Sequence, residues 1–350
     1  EEHFAALGFR RPPGKDQADY LVELVGPGGA EAFRDPEAPG SVRTAADFHR
    51  AFLDSEHHKA TLAALLEASP PAAWGARQTR RYALGLRPAL VACLRRQAKL
   101  FRRDPIFLRS QVGQAVAMGL VAGSLFFDLG LNEATAKLGV FFFALMSQAL
   151  SGMAAVPGAF QQKAVFLKQR DARFHPTAAY VLGYTGATAP LNALKSFVMG
   201  TLLYWMCGLS DANGGGRYFV FLLLLFQMSM GFQQFLQLLV ALFRNEQDAT
   251  AVAGVATVTL VLFSGFIIRK SSIPDWWIWI FWANPLSWGI RALSINEFTS
   301  PKYDANDYGS KVLASFDFPD GYGWVWACAG FLAATFLLHL GLTALACHFL

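Results

Sequence analysis

Six long segments with almost no charged residues follow one another after residue 109. They cover residues 110–127, 138–156, 178–205, 218–243, 249–268 and 324–350. The first has 18 uncharged residues, which as a helix of about 27 Å is long enough to cross the apolar part of a bilayer. Hydrophobic residues make up 54% of the chain and charged residues 16%, a composition that excludes a soluble protein with one core. We therefore predict an all-α membrane protein with six transmembrane helices.

The part of the chain before the first span divides into two regions. Residues 1–80 have too few apolar positions for a substantial core of their own, so we expect the edge of a larger domain that ends in a linker over 69–80. Within 81–109, the stretch from residue 87 onward has seven basic residues and one acidic residue, with apolar residues at helical spacing. This pattern predicts an amphipathic helix on the membrane surface, followed by a transmembrane domain over 110–350. Since the chain opens with Glu1 rather than Met, we expect a fragment of a longer protein.

Basic residues near the span ends predict the orientation in the membrane. Twelve lie on the side of the chain's start, in the amphipathic helix, in the loop over 157–176 and after the fourth span. Seven lie on the other side, five of them within 269–321. Because positive charge favours the cytoplasmic face, we predict that both termini and 157–176 are cytoplasmic and that 269–321 is extracellular, in the plasma membrane. Arg269 and Lys270 weaken this asymmetry, since they lie on the predicted outer side.

Sequence patterns for catalysis or metal binding are missing. The chain has no G-x-x-x-x-G-K-[ST] loop, and its seven His residues show no H-E-x-x-H or comparable ligand spacing. Carboxylates are nearly absent from the spans, which argues against a proton-relay pump and against an intramembrane enzyme. The densest basic cluster precedes a span and suits an anionic leaflet rather than nucleic acid. We therefore predict no catalytic residue, no metal ligand and no nucleic-acid partner.

A tryptophan-rich segment lies between the fifth and sixth spans. Five of the nine Trp residues fall between positions 276 and 288, a density typical of the membrane–water interface. Pro274 and Pro285 divide the segment into short helices. We interpret these indole rings as an interfacial anchor rather than as a cage for a ligand.

This segment also carries a resemblance to a known family. Residues 269–298, with Ser-Gly-Phe at 264–266 before them and Asn-Glu-Phe at 296–298 at their end, resemble ABC transporters of the G subfamily, especially the full-size pleiotropic-drug-resistance type. Residues 4–24 resemble the end of that family's nucleotide-binding domain, 44–67 its linker helix, and 165–171 the first cytoplasmic loop, which docks on the ATPase domain. The resemblance implies the ABC-2 type membrane fold in a lipid bilayer, paired with a second transmembrane half and two nucleotide-binding domains. It implies no cofactor in this fragment, and ATP with Mg in the full-length transporter.

The resemblance also implies roles for particular residues. The family's substrate cavity lies between the second and fifth spans of both halves. The implied cavity residues here are Phe142, Phe143, Ser147, Leu150, Val258, Val261 and Leu262. The implied extracellular gate is Phe266 and Ile267. The implied coupling residues are Phe166, Lys168, Arg170 and Asp171. For the apolar residues among these, ordinary packing against lipid or another helix is the alternative interpretation.

Two charged residues stand out against the apolar background. Many full-size members have an acidic residue about five positions after the proline of the third span, where this sequence has Lys195 after Pro190. Lys195 either pairs within the helix bundle or touches substrate. Glu297 is expected to hold a structural hydrogen bond at the outer vestibule.

These observations predict the transmembrane half of an ATP-driven ABC exporter. Its substrates would be hydrophobic or amphipathic compounds, such as drugs, lipids or secondary metabolites, which it moves by alternating access. The alternative is a passive six-helix channel or a lipid-organising scaffold, against which the ATPase-like residues 1–67 count.

Overall fold

The computed structural model describes residues 2–26, 28–36, 42, 44–66, 82–212, 214–304 and 307–349. The chain divides into two compact units, Glu1–Arg80 and Arg81–Leu350. Over the described ranges both units are built of helices, and the only β-type pairing is an isolated bridge between Phe9 and Arg34. The linker predicted over 69–80 lies outside the described residues.

The described part of the first unit has five short helices around a small core. They are α1 Glu2–Ala6, α2 Gln17–Val25, α3 Gly29–Ala32, α4 Ala45–Leu53 and α5 Glu56–Leu66. Thr44 and Asp47 cap the start of α4 reciprocally, each side chain accepting a hydrogen bond from the other residue's backbone N–H. The buried apolar residues are Phe9, Tyr20, Leu24, Ala30 and Phe48.

The prediction of one linker helix over 44–67 is wrong. The chain leaves the helical path after Leu53, and α5 begins at Glu56, where the Ser55 hydroxyl accepts a hydrogen bond from the His58 backbone N–H at 3.2 Å. Phe48 on α4 is buried, whereas α5 has no buried residue within this unit. The apolar residues of the two helices therefore do not form one continuous face.

The second unit has eleven described helices. They are α6 Leu86–Arg103, α7 Pro105–Leu125, α8 Ala134–Ser151, α9 Val156–Asp171, α10 Thr177–Met206, α11 Gly216–Leu242, α12 Glu246–Leu262, α13 Ile278–Ala283, α14 Pro285–Phe298, α15 Tyr308–Ser315 and α16 Gly323–Phe349. Helix α11 is the central element, because it packs against α8, α10, α14 and α16. Nearly all of the large apolar core of the chain lies in this unit.

Three helical segments among the described residues are long and apolar enough to cross a membrane. They are Ala134–Asp171, Gly216–Leu242 and Gly323–Phe349. They include the predicted second, fourth and sixth spans. The predicted first, third and fifth spans coincide with α7, α10 and α12, which are helices of 21, 30 and 17 residues. That these three also cross the membrane stays a prediction.

The amphipathic helix is shorter than the predicted 81–109. Helix α6 ends at Arg103, and the Asp104 side chain accepts a hydrogen bond from Phe107 N, which starts α7 with Pro105 in its first turn. Arg109 therefore belongs to α7. The buried residues of α6 are Ala89, Cys93 and Gln97 on one side of the helix, in agreement with an amphipathic pattern.

Small residues let α7 and α10 approach closely. A Cβ atom at Gly119 would lie 2.9 Å from the Leu202 side chain, and one at Gly123 would lie 2.7 Å from the Met206 sulfur. The G-x-x-x-G spacing of α7 thus marks a close helix contact, which larger residues would push apart.

Candidate functional site

The predicted cavity residues of α8 lie along one flank of the second unit. Of the three consecutive phenylalanines, Phe141 is fully buried, while Phe142 and Phe143 are half-buried. Leu150, two turns further along, is exposed. Ser147 is half-buried, and its hydroxyl donates to a carbonyl of its own helix at 2.9 Å. This flank is therefore apolar, with one internally bonded hydroxyl.

Helix α12 has an uncovered apolar stripe. Val252, Val255, Val258 and Leu262 are all exposed and follow one another at intervals of three or four residues, which places them on one face of the helix. Val255 and Val258 are the most exposed of them, at 70% and 59%. Val261 is half-buried. We call these four exposed side chains the α12 stripe.

The predicted gate meets the predicted cavity residues at one ring contact. Phe266 stacks on Phe142 with 5.1 Å between ring centroids and 23° between ring planes. Gly265, in a left-handed conformation with φ +86°, turns the chain just before Phe266. Ile267 is exposed beside it. The end of α12 is thus linked to α8 by two aromatic rings.

Lys195 lies inside the helix bundle. It is buried, and its ammonium donates to Gln111 Oε1 at 3.1 Å and to Ser151 Oγ at 3.2 Å. These acceptors belong to α7 and α8, so one side chain of α10 holds three helices together. Of the two interpretations made from the sequence, these contacts favour pairing within the bundle.

Glutamine side chains hold α10, α11 and α16 together. Gln234 on α11 accepts from the Thr185 hydroxyl at 2.9 Å and donates to the Thr343 hydroxyl at 3.0 Å. Gln233 accepts from the Asn192 amide. Such hydrogen bonds stabilise helix contacts where water is scarce. Gln233 and Gln234 of α11 therefore have structural partners.

Glu297 is the centre of a buried polar cluster at the end of α14. Its carboxylate accepts from the Ser210 backbone N–H at 3.0 Å and from the Tyr303 hydroxyl at 2.5 Å. The Tyr303 oxygen in turn accepts from the Lys137 ammonium at 2.6 Å. Burial and the adjacent carboxylate raise the pKa of Tyr303, so its hydroxyl stays protonated and donates. One hydroxyl thus separates a buried cation from a buried anion.

A second cation lies next to this cluster. The Arg217 guanidinium donates to the Asn296 carbonyl, to Thr299 Oγ1 at 3.1 Å and to the Thr299 carbonyl at 2.7 Å. The Asn296 amide donates back to the Arg217 carbonyl at 3.0 Å. These bonds tie the first turn of α11 to the last turn of α14.

Three cations that sequence reasoning treated as outer-side charges are in fact buried. They are Lys137, Arg217 and Arg291. The Arg291 guanidinium carbon lies 4.8–5.4 Å from the ring centroids of Phe281, Trp282 and Trp288, a cation–π arrangement. The sequence signal for Arg291 was a basic residue near several aromatic residues. Its burial, however, depends on how α13 and α14 pack.

The predicted coupling loop over 157–176 is mostly a helix, α9. Phe166 is 2% exposed and stacks on Tyr180 with 4.2 Å between ring centroids. This ring therefore fixes α9 to α10, and the coupling role of Phe166 stays a prediction. Lys168 and Asp171 are exposed, whereas Arg170 is half-buried and donates to the Cys347 carbonyl at 3.3 Å.

Lys163 was not singled out in the site prediction, yet it makes three hydrogen bonds from α9 to the end of α11. Its ammonium donates to the carbonyls of Val240, Ala241 and Phe243 at 2.8, 3.0 and 2.7 Å. These are among the last carbonyls of α11, which lack partners inside the helix. A cation at a helix C-terminus also stabilises the helix dipole. Lys163 therefore joins α9 to the end of the central helix.

One cavity of about 380 Å³ lies between α11, α12, α13 and α16. None of the predicted cavity residues lines it. The predicted residues lie instead on α8 and α12, where the α12 stripe is open. The ring contact of Phe142 with Phe266 joins the two predicted sets, and the grouping of the other predicted residues around one cavity stays a prediction.

Long apolar helices joined by buried polar contacts define an integral membrane protein of the helical-bundle class. The chain belongs to the ABC-2 type transporter family, whose model matches residues 88–298. It is 30% identical over 309 residues to ABC transporter G family member 2 of Dictyostelium discoideum. This match covers 87% of this chain and 23% of that protein. It is 29% identical over 365 residues to ABC transporter G family member 31 of Arabidopsis thaliana. This match covers 99% of this chain and 25% of that protein. The chain spans about a quarter of the length of these curated relatives.

Proposed function

We propose that this chain is one transmembrane half of an ATP-driven exporter of hydrophobic or amphipathic compounds. Within the G subfamily we assign it to the full-size pleiotropic-drug-resistance type, on the segment 264–298. The observation that carries the proposal is the exposed α12 stripe, with Phe142 stacked on Phe266 just after this helix, in a membrane domain of this family. A second half laid against this flank would enclose an apolar cavity, and the stripe would form one of its walls.

The proposed topology has six spans, α7, α8, α10, α11, α12 and α16. Both termini and α9 are then cytoplasmic, and 269–321 is extracellular, in the plasma membrane. The excess of basic residues on the side of the chain's start supports this orientation. The exposed rings of Trp276, Trp277 and Trp279 support an interfacial position for the segment before α14.

We further propose that the first unit is the edge of a nucleotide-binding domain. Its small core supports this, as does Val22 on α2, which is 76% exposed within the unit. The residues of this chain do not fit a nucleotide–Mg site, since the sequence has no phosphate-binding G-x-x-x-x-G-K-[ST] loop. The proposal therefore places ATP and Mg in domains other than the residues described here.

Helix α9 is the proposed transmission element, because it is bonded to four other helices. Gln162 accepts from Gln97 of α6 at 2.7 Å, Lys163 binds the end of α11, Phe166 stacks on α10, and Arg170 reaches the end of α16. A displacement of α9 would therefore move several spans together. The exposed Lys168 and Asp171 are the residues available to a docked ATPase domain.

In the proposed cycle the bundle alternates between inward and outward access. Substrate enters beside the α12 stripe from the cytoplasm or the inner leaflet. Phe142 and Phe266 close the outer end of this path through their ring contact. The Glu297 cluster holds α14 against α8 and against the segment before α11 while the gate moves. No bond of the substrate is broken.

The proposed cavity is tested by truncating its side chains. We expect Phe143→Ala and Val261→Ala to change the rank order of exported compounds, with export of individual compounds altered by about fivefold, because apolar walls select by shape. The readout is ATP-driven uptake of a fluorescent compound panel by inside-out vesicles, normalised to the amount of protein. Leu345→Ala, at an exposed position of α16, is the matched control and should leave the rank order unchanged. If both test variants transport the panel as the parent does, the cavity lies elsewhere.

A further inference from the structure

The cavity between α11, α12, α13 and α16 has features of a separate binding site. Its walls are apolar, with Phe232, Phe235, Leu260, Leu332 and Leu338 among the lining residues. No Lys, Arg, Asp or Glu lines it among the residues that the structure describes. A volume of about 380 Å³ is within the range of small-molecule sites. An ion would find no counter-charge here, so the walls select for an uncharged apolar molecule.

Two polar atoms at this cavity are buried and unpartnered. They are Gln227 Oε1 on α11 and His339 Nδ1 on α16, neither of which has a hydrogen-bond partner within the described part of the chain. Buried polar atoms are almost always paired in folded proteins, because an unpaired one has lost its hydration without compensation. Both residues line the cavity, so a molecule in it can supply the missing partner.

The chemistry of these two atoms specifies what that molecule must offer. Gln227 Oε1 is an amide oxygen, which can only accept a hydrogen bond. An imidazole Nδ1 accepts when the ring proton is on Nε2. The cavity therefore requires a hydrogen-bond donor.

We propose that this cavity binds an apolar molecule with a hydroxyl group, such as a polycyclic or long-chain alcohol. The hydrocarbon part fills the aromatic and aliphatic walls, and the hydroxyl donates to His339 Nδ1 or Gln227 Oε1. The molecule is either a resident lipid of the bilayer or a compound that the transporter moves. The site is distinct from the α8–α12 flank, and its assignment does not depend on export.

The test uses a photoreactive diazirine sterol with a free hydroxyl and its methyl ether, which lacks the donor. Both are added to the assembled transporter in lipid nanodiscs without ATP, and labelled peptides are mapped by mass spectrometry. The free alcohol should label α11 or α16 residues of the cavity about tenfold more than the ether, as expected for one buried hydrogen bond. The double variant Gln227→Leu with His339→Phe removes both polar atoms, so it should reduce labelling by the alcohol to the level of the ether and leave labelling by the ether unchanged.

Filling the cavity gives a second test that leaves Gln227 and His339 unchanged. A Cβ at Gly231 would meet no atom within 4 Å, so Gly231→Leu extends into the cavity without a backbone clash. Labelling by both probes should then be lost. Gly330→Leu on α16 is the matched control, because its Cβ is equally free and Gly330 does not line the cavity. Equal labelling of the parent and of Gly231→Leu would overturn the proposal, as would equal labelling by alcohol and ether.

A separate arm distinguishes the two sources of the molecule. If inside-out vesicles accumulate the free alcohol in an ATP-dependent way, the site holds a transported compound. If labelling occurs without such accumulation, the site holds a resident lipid. Either result supports the site, and failure of export of other compounds would bear on the proposed function alone.

Discussion

Glu297→Leu is expected to be the most destabilising single change in the second unit. The substitution leaves the Lys137 ammonium buried without its anion and removes the acceptor of the Ser210 backbone N–H. Breaking one side of a buried charge pair typically costs about 3–5 kcal/mol. We therefore expect a large drop in protein abundance and in the midpoint of thermal unfolding, measured on the purified protein in detergent.

Two control variants separate the charge effect from the loss of a side chain. Lys137→Met combined with Glu297→Leu removes both charges, so the double variant should be more stable than Glu297→Leu alone. Glu133→Leu removes an exposed carboxylate at the start of α8, the helix of Lys137, where it accepts a hydrogen bond from Gly130 N–H at 2.8 Å. We expect this variant to cost no more than about 1 kcal/mol. If Glu297→Leu unfolds like the parent, the cluster is not what holds α14 in place.

The second large effect concerns coupling through α9. Lys168 is exposed, while Arg170 is partly committed to the Cys347 carbonyl inside the bundle. Lys168→Glu should therefore disturb a docked acidic partner without disturbing the fold. The loss of a charge-assisted contact of about 1–3 kcal/mol corresponds to roughly a tenfold decrease. We expect this decrease in export and in substrate-stimulated ATP hydrolysis, with membrane insertion near the parent level.

Three further variants make the coupling result specific. Lys168→Arg keeps the charge and should retain most of the export. Arg244→Glu reverses a charge at an exposed position after α11 and should have a much smaller effect. Arg170→Glu should reduce both export and stability, since it also breaks a contact to α16. Export at the parent level by Lys168→Glu with normal abundance would mean that α9 does not transmit the motion.

The sequence predicted the long helices well because each corresponds to an uncharged apolar run. The helix ends were predicted less well, because capping residues determine them. Asp104 and Pro105 end α6 and begin α7, although basic residues continue to Arg109. The contact of Gly119 and Gly123 with α10 follows from a local pattern, because small residues at four-residue intervals line one face of a helix.

The hydrogen-bond and packing partners of individual side chains could not be predicted in the same way. Lys163 and Lys137 are ordinary cations in the sequence, and their acceptors are 77 and 166 residues away. Phe166 is one of three apolar residues in a row, and only the packing of α10 determines that it is the buried one. The cavity residues Gln227 and His339 lie on different helices and line the same cavity only in the folded bundle. Contacts of such long sequence separation have no local signal.

The central claim is that this chain moves apolar compounds under the control of ATP. The most direct measurement is accumulation of a hydrophobic fluorescent compound by inside-out vesicles that contain the assembled transporter, with ATP, with ADP or without nucleotide. We predict accumulation above the external concentration with ATP alone. Equal entry under all three conditions, levelling at the external concentration, would contradict the claim and indicate a passive channel.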